Sequence, residues 1–180
     1  MKTGKTGYGS FLILAAILFT GLLQDRAWSA DWSLSLGAGA TNHWFDKDID
    51  NRMNIEEIRL ACGKPLSSHV SLALSADYTS FDLDEGDHFE SFGLTPLIRY
   101  TRGSLFVEGG IGLMRNDFHL EGFTYEYKWS PQAGVGFKVM ETEKISLVVM
   151  YALTHFSHSF LSEKRNVGIN ANNVRVTLFF

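Results

Sequence analysis

Cysteine is almost absent from this 180-residue chain: Cys62 is the single one. That excludes an intramolecular disulfide framework, and with no CxxC pair or Cys/His cluster there is no pattern for structural zinc. A basic surplus is missing too; the formal net charge of −4 offers nothing to attract nucleic acid. No Pro/Gly/Ser-rich linker interrupts the sequence, so one domain is expected. Beyond residue 30 there is also no apolar run long enough for a membrane-crossing helix.

The N-terminus does hold one apolar run. Lys2 and Lys5 precede Phe11 to Leu23, and Ala27-Trp28-Ser29-Ala30 follows. Charged, apolar and small-residue regions in that order predict a secretory signal peptide over residues 1–30. The run is too short to cross about 30 Å of hydrocarbon as a helix. Cleavage after Ala30 sets Trp28 three residues before the cut, whereas cleavage after Ser29 sets Ala27 there. The mature domain is expected over 31–180.

That domain alternates apolar and polar residues with period two, the pattern of strands with two different faces. Eight strands are expected near 32–40, 55–65, 70–80, 90–101, 105–115, 124–139, 145–157 and 170–180. In the last, Val174, Val176, Leu178 and Phe180 oppose Arg175, Thr177 and Phe179. In the seventh, Ile145, Leu147, Val149, Tyr151 and Leu153 share a face; in the third, Val70, Leu72, Leu74, Ala76 and Tyr78 do. Trp32, Tyr78, Tyr100, Tyr127 and Trp129 sit toward strand ends, as an interfacial aromatic girdle requires.

Glu57, Arg59, Asp77, Arg99, Glu108, Lys138 and Arg175 all fall opposite the apolar stripes. A soluble β-domain would turn these charges to water, and a membrane barrel would turn them inward to pair with one another. Alternation alone does not choose between the two. The leader, the aromatic-tipped strands and a chain ending on Phe180 favour an eight-stranded antiparallel transmembrane β-barrel of the bacterial outer membrane. An even strand number puts both termini on the periplasmic side. Segments 41–54, 81–89 and 116–123, rich in Asp, Asn, His and Gly, are then outside the cell.

The sharpest chemical feature is Thr154-His155-Phe156-Ser157-His158-Ser159 at the outer end of the seventh strand. Residues two apart share a face, so His155 and Ser157 are neighbours on the lipid-facing side. An imidazole there can take the hydroxyl proton and make serine able to attack an ester. The same two residues also suit a plain headgroup-level rim, where polar side chains are ordinary. A metal site at His155 and His158 is disfavoured, because their odd spacing puts them on opposite faces without a carboxylate.

The order His155-x-Ser157, polar loop, Asn166-Val167-Gly168-Ile169-Asn170 and a final strand to Phe180 resembles the PagL family of outer-membrane lipid A 3-O-deacylases. The strings Phe106-Val107-Glu108-Gly109-Gly110-Ile111-Gly112 and Gln132-Ala133-Gly134-Val135-Gly136-Phe137 look like that family's Gly-spaced strands. The resemblance implies an eight-stranded barrel acting as a cofactor-free serine hydrolase on the ester-linked acyl chain at the lipid A 3 position. Ser157 then matches the nucleophile, His155 the general base, and Asn166 with Gly168 the oxyanion and substrate site. The chain departs from the family at His158, where asparagine usually follows the serine, and at Val167, where proline is common. It departs again at Asn170, which stands where a glutamate orients the histidine.

Asparagine can fix the imidazole tautomer but lacks the charge to stabilise the imidazolium. Counting back from Phe180 places Asn170 and Asn172 on the lipid-facing side, beside His155 on the antiparallel neighbour; Glu163 in the loop is the rival orienter. An acyl chain is expected along Leu153, Tyr151, Val174 and Val176. Two other readings compete with the enzyme: a non-enzymatic structural or adhesion barrel, and a soluble periplasmic β-domain. A lipid-facing Cys62 leaves a homo-oligomeric contact open, though lone cysteines more often serve packing.

Overall fold

Hydrocarbon offers no hydrogen bonds, so strands can cross it only if every strand has two partners and the sheet has no edge. The computed structural model of the chain describes residues 31–42, 53–83, 88–116, 127–157 and 169–180. The leader expected at 1–30 lies outside them. The described residues form β1 (Asp31–Asn42), β2 (Met53–Pro65), β3 (Val70–Leu83), β4 (His88–Arg102), β5 (Leu105–Asn116), β6 (Tyr127–Glu141), β7 (Ser146–Phe156) and β8 (Ile169–Phe179). Consecutive strands pair antiparallel, and β8 returns to β1 to close the barrel.

The eight strands match the expected spans to within a few residues. The largest difference is at β6, expected over 124–139: positions 124–126 lie outside the described residues, and the strand runs on to Glu141. A bulge between Lys138 and Met140 shifts the register there, so that Met140 and Glu141 keep pairing with Leu147 and Ser146. Short turns at 66–69, 103–104 and 142–145 join strands at one end. Gly103, at φ 58°, supplies the left-handed residue that the tightest of them needs. The longer connections leave the opposite end, which in such barrels faces outside.

Outward faces are apolar. Leu34, Leu36, Ile58, Leu72, Leu74, Ile98, Ile111, Phe137, Val174 and Val176 are all exposed large hydrophobics, an arrangement suited to lipid and not to water. Tyr78 and Phe92 on neighbouring strands meet with ring centroids 4.9 Å apart and planes tilted by 45°.

The interior holds the charges. Arg59 donates to Asp77 at 2.6 Å and to Glu108 at 2.7 Å, and also reaches Glu57 and Gln132. Arg175 forks onto both oxygens of Glu57 at 2.8 Å and reaches Glu108 at 2.6 Å. Arg99 donates to Glu108 at 3.3 Å and Ser33 at 3.0 Å, and lies 5.2 Å from the Phe179 ring centre. Three carboxylates, Glu57, Asp77 and Glu108, thus balance three guanidinium groups in one buried network. Lys138 sits instead at the mouth that carries the short turns, paired with Glu141. Toward the outer end Met53, Ile55, Phe81, Met114, Phe156 and Ile169 form an apolar cluster, and Lys128, opposite Met114 in the register, is buried at the same level.

Glu108 meets all three arginines, so removing it leaves guanidinium charges buried and unbalanced. Glu108→Ala is expected to cost about 3–5 kcal/mol of stability. The measurement is the urea midpoint of the fast-migrating folded form on gels.

Candidate functional site on the outer face of β7 and β8

β7 and β8 pair without interruption from Ser146↔Phe179 to Phe156↔Ile169. Their inward residues include Met150, Ala152, Thr154 and Phe156 against Ala171, Asn173 and Arg175, all buried. Tyr151 and Leu153 project outward, with His155 completing the same stripe. Across the seam the register sets His155 opposite Asn170, Leu153 opposite Asn172 and Tyr151 opposite Val174. The parity read from Phe180 thus puts Asn170 and Asn172 beside β7 on the outward side.

Proximity becomes contact at the top row. His155 Nδ1 lies 2.7 Å from Asn170 Oδ1. An amide oxygen only accepts, so Nδ1 carries the proton and Nε2 is left as the basic nitrogen. Among the described residues no carboxylate contacts His155, and Glu163 lies outside them. One row lower, the Tyr151 hydroxyl donates to Asn172 Oδ1 at 2.9 Å.

Ser157 continues past the end of β7. Its N–H and C=O pair with the backbone of Trp129 on β6 at 2.9 and 2.7 Å. Ser157 is 3% exposed, and among the described residues no hydrogen bond joins it to the imidazole. The structure therefore brings His155 and Asn170 together directly and places Ser157 two residues beyond His155, past the end of β7. Asn166, Gly168, Val167 and His158 lie outside the described residues. Among those described, no three His, Cys, Asp or Glu side chains converge as a metal site.

A groove of about 420 Å³ opens on the outer surface below His155. Pro131 and Ala133 of β6 form one wall, Leu153 the base, and Asn170 and Asn172 the other wall, with Tyr151 at its lower limit. It exists because Pro131 and Ala133 are small where Val135, Phe137 and Val139 further down the same face are large. Sequence reasoning missed this wall; the step from small to large outward residues on β6 was its signal. Val174 and Val176, expected along an acyl chain, belong to the same outward stripe but are not among the residues lining the groove.

The solved structure of the outer membrane enzyme PagL is similar in fold, with a TM-score of 0.60 at 19% identity over 81% of this chain and 97% of that one. Neisserial surface protein A is similar too, with a TM-score of 0.54 at 11% identity over 83% of this chain and 95% of that one. No curated protein sequence matches the chain. A sequence profile described as lipid A 3-O-deacylase (PagL) matches residues 23–179. Matched over nearly its whole length, and folded as the same closed barrel, the chain belongs to the PagL family of lipid A 3-O-deacylases, enzymes of the bacterial outer membrane.

Proposed function

We propose that this chain cleaves the 3-O-linked acyl ester of lipid A in the outer leaflet, with Ser157 as nucleophile, His155 as general base and Asn170 as the residue that positions the base. The observation that carries this reading is the His155–Asn170 hydrogen bond on the lipid-facing side, at the head of an apolar groove. It leaves Nε2 free to accept a proton, and Ser157 follows two residues beyond His155, just past the end of β7.

In the reaction, Ser157 Oγ attacks the ester carbonyl carbon as its proton passes to His155 Nε2. The sugar oxygen then leaves with that proton, and an acyl-serine remains. Water, deprotonated by the same imidazole, attacks the acyl-serine; Ser157 Oγ leaves, taking that proton back from the imidazolium, and the fatty acid is released. Asn166 and Gly168 are assigned to the oxyanion formed in each half, where a donor lowers the barrier most. The acyl chain lies in the groove along Leu153, each buried methylene contributing about 0.8 kcal/mol. Lateral diffusion brings substrate to the site without passage through the lumen. Contact between serine and imidazole in such sites often tightens only with substrate bound.

Asparagine in place of a carboxylate fixes the tautomer but leaves the imidazolium less stabilised. Ser157→Ala is expected to lower release of the 3-linked chain by at least about 10³-fold. Mass spectrometry of lipid A from expressing cells reads this, and an unchanged acyl pattern rejects the nucleophile. Asn170→Ala is expected to lose about 10–10²-fold in kcat, and Asn170→Glu to retain or exceed wild-type activity. Full activity in Asn170→Ala together with loss in Glu163→Ala would transfer the positioning role to Glu163.

A further inference from the structure

Outward-facing residues near the site fall into rows set by strand register. The first row is His155 with Asn170. The second is Ala133, Leu153 and Asn172, and the third is Val135, Tyr151 and Val174. Large side chains fill the third row across all three strands, whereas the second has only Ala133 on β6. The groove accordingly reaches Tyr151 and Asn172 and goes no deeper.

Its lower end is polar. Tyr151 is half-exposed on the lipid side, yet its hydroxyl leans up across the β7–β8 seam to Asn172. A tyrosine that only joined an interfacial girdle would turn its hydroxyl to headgroups or water. Here the hydroxyl gives its proton to the amide oxygen inside an otherwise apolar surface, where an unpartnered hydroxyl would be costly. The bond ties the ring across the path that a chain would follow down the seam.

We infer that the Tyr151–Asn172 bridge is the floor of the acyl groove and sets the length of acyl chain the enzyme prefers. This rests on the proposed placement of the ester at Ser157. From Ser157 to the level of Asn172 is four residues along β7, about 14 Å at strand rise. Carbon–carbon bonds of about 1.5 Å in an extended zigzag advance about 1.25 Å per carbon, so a chain of about ten or eleven carbons reaches the bridge. A longer chain must displace the ring or bend out into bulk lipid, and loses the groove walls for its remaining methylenes.

The test is a competition in one detergent preparation between lipid A species whose 3-linked chains have ten and fourteen carbons, both products being counted by mass spectrometry. The ratio of products gives the ratio of kcat/KM directly. Wild type is expected to favour the ten-carbon species by about tenfold. Tyr151→Ala is expected to bring the ratio to near one, and Asn172→Ala, which frees the ring without deleting it, to an intermediate value. Heat-modified gel mobility identifies folded protein, and either folded variant suffices. Equal handling of both lengths by wild type overturns the floor, as does a wild-type preference that survives in the variants. Ser157→Ala in the same assay reads the catalytic assignment separately. If that variant still releases the chain while Tyr151→Ala loses the preference, the nucleophile is wrong and the floor stands.

Discussion

Every other property of this chain depends on the need to hydrogen-bond a backbone inside hydrocarbon. A closed antiparallel sheet meets that need completely, and β8 pairing with β1 removes the last edge. Closure then forces each strand to show lipid on one side and lumen on the other. The apolar stripe must point outward, so the ionisable side chains have only the interior and must neutralise one another there. Glu57, Asp77 and Glu108 do so with Arg59, Arg99 and Arg175.

The same division explains how polar side chains can occupy the lipid side at all. Within the hydrocarbon an imidazole facing outward would be unpartnered and costly. His155 avoids this by standing at the end of β7, where the stripe stops, and by bonding Asn170 on the adjacent strand. Tyr151 and Asn172 repeat the device lower down. Both polar pairs cross one seam, and both bring a ring of β7 to an amide of β8.

Much of this was legible in the sequence, because side-chain direction in a strand is a matter of counting. Starting from Phe180, parity alone put Asn170 and Asn172 outward; starting from Ile145, it did the same for His155. Register then followed from antiparallel pairing of consecutive strands. The groove was not legible in the same way. It depends on side-chain sizes on three strands at once, with Pro131 and Ala133 beside Leu153, and needs the β6–β7 register as well. Nor does counting reveal that the Tyr151 hydroxyl leans toward Asn172 or that Ser157 is buried beside Trp129; those depend on side-chain direction and packing.

The two halves of the His155–Asn170 pair belong to the last two strands, and β8 must also find β1, at the far end of the sequence. The pair therefore forms only when the C-terminal strand has zipped onto its neighbour. A chain still in transit, with its final strand unpaired, carries the histidine without its partner and the groove without its second wall. Both the hydrogen-bonded pair and the walled groove are in this way late products of assembly, present only once the barrel has closed.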